Sequence, residues 1–241
     1  MRLGIVSDIH GNLEALDAVL ADLAKQSCDR VVCLGDFVGY GASPNECIER
    51  LRPLISGAVI GNHDAAAIGK LRLTYFNVDA AEAARWTDAQ LTPEHRAYLL
   101  ALPYRIQEEG ALLVHASPTE PDGWHYVLST ADAGEEMKAY DDPVCFIGHS
   151  HVAGTFERSD TGLRYTRDSQ MNLAPDRKYL VNVGSVGQPR DGDPRAAWVV
   201  WDRESGRLEH RRVGYDIEAA GRRIVSAGLP QFLADRLQWG E

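Results

Sequence analysis

The chain has 241 residues, 44% of them hydrophobic and 25% charged, the profile of a globular protein with a substantial buried core. A formal net charge of −10 argues against a general nucleic-acid binder, which carries a basic stripe, but leaves room for a small anionic substrate held by charge local to a cleft. No apolar run approaches the roughly 20 residues needed to span a bilayer, and the opening MRLGIVSDIHG reads as strand and turn rather than a leader.

In chain order, RLGIVS (2–7) is a short apolar run expected to form a buried strand. Leu13, Leu16, Val19, Leu20 and Leu23 recur at helical spacing behind Asn12, a plausible N-cap. RVVCLG (30–35) is a second strand, after which Ser43-Pro44-Asn45-Glu46 has the form of a capping box with proline at the first helical position. GAVIG (57–61) is a third. This βαβαβ order implies a parallel sheet with right-handed crossovers. Residues 64 to about 108, rich in alanine and charge, with cap signals at Thr87 and Thr92-Pro93, read as a helical insertion in one domain spanning 1–241. ALLVHAS (111–117) and PVCFIGHS (143–150) return to buried strands. From about residue 154 the chain is strand-rich (GTFERS, KYLVNV, RAAWVVWD, RLEHRRV) and closes with helical patterns at 216–227 and 230–238. Cys28, Cys33, Cys47 and Cys145 lack CxxC spacing and sit in or beside apolar stretches, so buried free thiols in a reducing cytoplasm are expected.

The chemistry-bearing residues follow strands. Strand 2–7 leads to Asp8 and His10, and strand 30–35 to Asp36. Strand 57–61 leads to Asn62, His63 and Asp64, strand 111–114 to His115, and strand 143–147 to His149 and His151. Taken singly, each motif has a bland explanation: GNHD can be a turn, GD a common turn pair, and one histidine at a strand end a hydrogen-bonded structural residue. In an open α/β sheet, however, ligands bind beyond the carboxyl ends of the strands, and five successive strand ends deliver Asp, Asn or His there. Their convergence predicts a site for hard or borderline divalent ions, with no thiolate in the set.

This order of DxH, GD, GNHD, a lone His and GHxH resembles the calcineurin-like metallophosphoesterase superfamily. SDIHGNLEAL, GDFVGYGASPNE, VHASP and NVGSVGQPRDGDPRAAW are similar to its bacterial branch related to diadenosine tetraphosphatases. The resemblance implies an α/β fold, a four-layer αββα sandwich of two mixed sheets. It also implies two divalent metal ions: one held by Asp8, His10, Asp36 and His151, the other by Asp36, Asn62, His115 and His149, with Asp36 bridging. Such a pair acidifies a shared water and clamps phosphate oxygens for in-line displacement. Manganese is expected, with iron, zinc, nickel or cobalt equally compatible. His63 would then be free to donate a proton or hydrogen bond to the phosphoryl group, and Asp64 would orient that ring or cap the following helix.

Several superfamily members carry GDxxDRG where this chain has GDFVGYG. Gly39 replaces their Asp, which argues against protein phosphatase activity and symmetric cleavage. Arg190 and Arg195 could grip a substrate phosphate or form salt bridges to Asp191 and Asp193. Tyr40, Trp124 and Tyr126 could line a pocket for a base or belong to the core. His95 and His210 are expected on exposed faces, and His125 to be near the cleft or merely in a loop. The expected function is hydrolysis of small phosphate esters or anhydrides, with an asymmetric dinucleoside polyphosphate hydrolase and a phosphodiesterase as the nearest options. A catalytically silent metal-binding scaffold is the alternative class, which the presence of His63 opposes.

Overall fold

The computed structural model describes residues 1–108 and 110–241. The elements run β1 (Arg2–Val6), α1 (Leu13–Leu23), β2 (Arg30–Cys33), α2 (Pro44–Leu51), β3 (Gly57–Ala58), α3 (Asn62–Ala67), α4 (Val78–Gln90), α5 (Pro93–Leu100) and β4 (Arg105–Glu108). They continue with β5 (Ala111–Val114), α6 (Thr130–Glu136), β6 (Val144–Ile147), β7 (Gly154–Ser159), β8 (Gly162–Thr166), β9 (Gln170–Asn172) and β10 (Lys178–Asn182). β11 (Ala196–Asp202), β12 (Arg207–Val213), α7 (Ile217–Ser226) and α8 (Gln231–Asp235) complete the chain.

Two six-stranded mixed sheets form, in the orders β3-β2-β1-β11-β12-β9 and β4-β5-β6-β10-β7-β8. β1, β2 and β3 are parallel, as are β5, β6 and β10. The period-two alternation of side chains makes each central strand serve two cores. Leu3 and Ile5 of β1 and Val199 and Trp201 of β11 pack against Leu113, Phe146, Tyr179 and Val181 of the second sheet. Val6, Cys33, Trp198 and Val200 face the other way, onto Leu16 and Val19 of α1 and Ile48 and Leu51 of α2. On the far side, Val114, Cys145, Ile147 and Leu180 meet Ala133 of α6 and Met137. The result is a four-layer αββα sandwich, thinly covered by α6 on the second sheet.

Local signals explain most elements. Asn12 caps α1 by accepting from Ala15 N, and Thr92 caps α5 by accepting from His95 N. Other expectations need correction. Ser43 precedes α2 but makes no side-chain cap bond, so proline at the first position starts that helix without the box. Thr87 lies buried inside α4, whose cap is Asn77. The 64–108 segment is not wholly helical: β4 adds an edge strand antiparallel to β5. β4, β8 and β9 are short, largely polar edge strands, so they lack the apolar runs that mark central strands. The α6 sequence TADAGEE carries little apolar periodicity, and its Ser129/Asp132 capping box is its clearest mark. The four cysteines are free, and all but the half-buried Cys28 are buried. Among the described residues, no helix is long and apolar enough to cross a membrane.

Phe146 fills the space between the sheets with no exposure. Phe146→Ala is expected to lower stability by about 3–5 kcal/mol, the cost of a large-to-small change that leaves a cavity, measured from the urea midpoint at unchanged slope.

Candidate metal centre

The carboxyl ends of β1, β2, β3, β5 and β6 open on one edge of the sandwich, and each is followed by residues of one cleft. Backbone geometry there is unusual. Among the described residues, eight other than glycine have positive φ, and all but Ser27 lie at this edge: Asp8, His10, Asp36, Tyr40, Trp124, His149 and His151. Such conformations cost of order 1–3 kcal/mol each and survive only where the surroundings impose them. Two glycines of the motifs are required by close approach. A Cβ on Gly61 would overlap Asp36 Oδ1, and one on Gly148 would overlap Ser7 Oγ and Asp8 Oδ2.

The side chains are aimed by bonds on their far sides. His10 Nδ1 donates to Val38 O (3.1 Å), His115 Nδ1 to Leu34 O (2.7 Å) and His151 Nδ1 to Gln188 O (2.6 Å). Each carbonyl holds a proton on Nδ1 and turns Nε2 into the cleft. Asp8 Oδ2 accepts from His149 N (3.0 Å) and Asp36 Oδ1 from His63 N (2.8 Å), leaving Asp8 Oδ1 and Asp36 Oδ2 buried without a hydrogen-bond partner. His149 Nε2 is likewise buried and unpartnered.

These free atoms crowd together. His10 Nε2 and His151 Nε2 face each other at 3.0 Å. Asp8 Oδ1 lies 3.2 Å from His151 Nε2 and 3.7 Å from His10 Nε2, and Asp36 Oδ2 lies 3.6 Å from His10 Nε2. On the other side of Asp36, its Oδ2 lies 3.3 Å from His115 Nε2, which in turn lies 3.1 Å from Asn62 Oδ1. Electron-pair donors so close together are satisfied by a cation, and three sets, Asp8–His10–His151, His10–Asp36–His63 and Asp8–Asp36–His115, have the spacing to hold one. This Asp/His clustering points to divalent metal binding. His149 stands outside these sets, its ring centroid 5.1 Å from that of His115.

Electrostatics follow the same pattern. Burial pushes the His149 and His151 rings down to about 3, seconded by the charge of His115 on the first and of Arg190 on the second, so both are neutral and ligand-ready. Burial opposes the charge on His115 too, but Asp36 and Asp8 outweigh it and raise the ring to about 9. Burial holds His63 well below its ordinary value, against the pull of Asp36. Asp64 accepts from Asp36 N (2.8 Å), Gly61 N (3.1 Å) and Val38 N (3.2 Å). It therefore caps α3 and ties down the Asp36 loop rather than orienting the His63 ring.

The remaining candidates separate. Arg190 Nε and Nη2 donate to Gln188 Oε1 (3.2 and 2.7 Å), its guanidinium sits 5.4 Å from the Tyr40 ring, and it has no carboxylate partner among the described residues. Arg195 instead pairs with Asp193 (2.7 Å) on the surface, while Asp191 is taken by Arg212. Tyr40 is buried, its ring packed on His63 (4.2 Å) and His10 (4.7 Å), so it supports the histidines and offers no free face. Tyr126 stacks on His149 at 4.2 Å, and Trp124 lies 5.8 Å from His115. His125 is exposed, beside Glu120. Contrary to expectation, His95 is buried, with Nδ1 2.8 Å from Asn45 Oδ1, and His210 is half-buried, with Nε2 3.2 Å from Thr155 Oγ1. Their helix and strand positions gave no hint of the neighbours that cover them. Sequence reasoning also missed Gln188, whose carbonyl aims His151, and Asn182, which holds Gly148 O (2.7 Å). The only hint was NVGSVGQ at a strand end.

The calcineurin-like phosphoesterase superfamily domain matches residues 1–205. An uncharacterized protein of Methanocaldococcus jannaschii is 41% identical over 99% of this chain and 98% of its own. The crystal structure of a metallophosphoesterase from Sphaerobacter thermophilus superposes with a TM-score of 0.88 at 38% identity, covering 100% of this chain and 99% of that one. A hypothetical protein from Pyrococcus horikoshii gives 0.81 at 20% identity over 100% and 98% of the two chains, a likeness of fold.

His115, raised to about 9, is protonated at pH 7 in the metal-free site, yet only the neutral ring can ligate. Loading Mn²⁺ at pH 7 should therefore release protons, that of His115 among them, and apparent affinity should strengthen as pH rises toward 9. Calorimetric heats in buffers of different ionisation enthalpy measure this, and heats independent of the buffer would contradict it.

Proposed function

We propose that this chain, which belongs to the calcineurin-like phosphoesterase superfamily, is a divalent-metal-dependent hydrolase of small phosphate esters or anhydrides. The observation that carries the proposal is the set of unpartnered buried donors, Asp8 Oδ1, Asp36 Oδ2 and His149 Nε2, beside imidazoles whose Nδ1 protons are committed elsewhere. Asp8, His10, Asp36 and His151 would hold one ion, and Asp36, Asn62, His115 and His149 the other. Bound there, two divalent ions would polarise a phosphoryl oxygen and acidify water at neutral pH.

The chain's own groups do the rest. Asn62 would contribute an oxygen without charge, leaving the Lewis acidity of an ion held there undiminished. His63 is close enough to His10 and Asp36 to be counted with them, but its Nδ1 is packed against Gly39, where a Cβ would come within 2.6 Å. We assign it instead to the phosphoryl group. As a neutral ring it donates one N–H to a phosphoryl oxygen, and an anionic substrate raises its proton affinity so that it can protonate the leaving oxygen. Arg190, with no carboxylate partner among the described residues, supplies a positive charge beside His151 and His63 for a non-reacting phosphate oxygen. The same contact of Gly39 with His63 leaves no room for the Asp of GDxxDRG, which supports cleavage modes other than those of enzymes that use that motif.

Metal-stripped protein should be inactive toward bis-p-nitrophenyl phosphate or inorganic pyrophosphate and recover as Mn²⁺ is titrated back; inactivity toward both at every metal level would sink the proposal. His63→Ala should keep its metal content by elemental analysis and slow turnover about 10²–10⁴-fold. Loss of metal in that variant would make His63 a ligand instead.

A further inference from the structure

The two sides of the cleft differ in chemistry. Arg190 lies over the buried Tyr40 ring on the side of His63, whereas the side of His149 and His115 carries half-exposed aromatic rings. The Tyr126 ring stacks on His149 with centroids 4.2 Å apart and planes 24° from parallel. The Trp124 ring stands 5.8 Å from His115, and Tyr104 stands 5.8 Å from Trp124. These three rings come from two separate segments of the chain and meet only at this edge.

Shielding the imidazoles does not account for them. Tyr126 is 51% exposed and Tyr104 37%, so each leaves in water an apolar ring surface that core packing would cover. Trp124 is held in the left-handed region at φ 55, a strained conformation for a bulky side chain. The segment carrying Trp124 and Tyr126 is also pinned at both ends. Glu136 accepts from Ser117 Oγ (3.0 Å), Thr119 N (2.9 Å) and Thr119 Oγ1 (2.9 Å), and Asp132 accepts from Leu128 N (3.1 Å) and Ser129 N (2.9 Å). Rigid, half-exposed aromatic rings bind a flat partner at little cost in conformational entropy.

We propose that Tyr126, with Trp124 and Tyr104, is a stacking platform for the nucleobase of a nucleotide ester or anhydride, whose phosphate lies between this platform and Arg190. The proposal rests on the phosphoesterase reading above and adds the class of its substrate. Stacking accepts any base, since every base has a π-face, so purine and pyrimidine substrates are distinguished weakly.

The test compares binding of AMP and ribose 5-phosphate to the Mn²⁺-loaded protein by calorimetry, two ligands that differ only in the base. AMP should bind about 10-fold to 100-fold more tightly, the usual worth of one stacked base. Tyr126→Ala should bring that ratio toward one, and Tyr126→Phe should keep it. Because Tyr126 touches His149, metal content is measured in each variant. Tyr104→Ala, whose ring meets Trp124 rather than an imidazole, should lower the ratio as well with full metal content. Equal affinities in the unaltered protein would overturn the platform and leave the phosphoesterase reading standing. Failure of both ligands to bind would overturn phosphate recognition and the platform with it.

Discussion

Everything at the active edge depends on one electrostatic conflict: several electron-pair donors held within hydrogen-bond distance with no hydrogen between them. His10 and His151 present nitrogen lone pairs to each other at 3.0 Å, and two carboxylate oxygens close the same space. In water such groups would separate. Here burial prevents it, and a multiply charged cation would relieve the cost by turning those repulsions into attractions. The strained backbone at Asp8, His10, Asp36, His149 and His151 is of the same origin, since each loop turns sharply to bring its donor inward.

The parallel strands make that arrangement sustainable. They end together, and the cores on both faces of each sheet, Leu3 and Ile5 on one side and Val6 and Trp198 on the other, fix where they end. The hydrogen bonds that aim these side chains use groups the strands had already positioned: the carbonyls of Leu34, Val38 and Gln188, and the amides of His63 and His149. Asp64 gathers three amides from two loops and so sets the Asp36 carboxylate opposite His115. Buried beside Asp36, its carboxyl is pushed up to about 8 in the metal-free site, against those same amides.

Around this centre the cleft is asymmetric. A guanidinium with no carboxylate partner among the described residues lies to one side and half-exposed aromatic rings lie to the other. The two arginines of GQPRDGDPR show how little spacing alone decides. Arg195 folds back on Asp193, whereas Asp191, next to Arg190 in the chain, is held by Arg212 from β12, and Arg190 donates to Gln188 instead.

The sequence alone determined the central strands, the first and last helices, and the order of Asp, Asn and His residues behind the strands. Those are local matters: an apolar run, a capping Asn12 or Thr92, a polar residue just past a strand's end. It did not reveal β4, β8 and β9, whose four, five and three residues are too short and polar for a periodic signal and exist because a neighbouring strand offers its edge. His95 and His210 were misplaced because burial depends on what another segment lays over a residue, here Asn45 and Thr155. Tyr40, read as a possible wall for a base, became the support of two histidines, and Tyr104 joined Trp124 from another segment. Composition and spacing act along the chain, while the direction a side chain faces and the group it meets are set across it, and only the packed structure decides those.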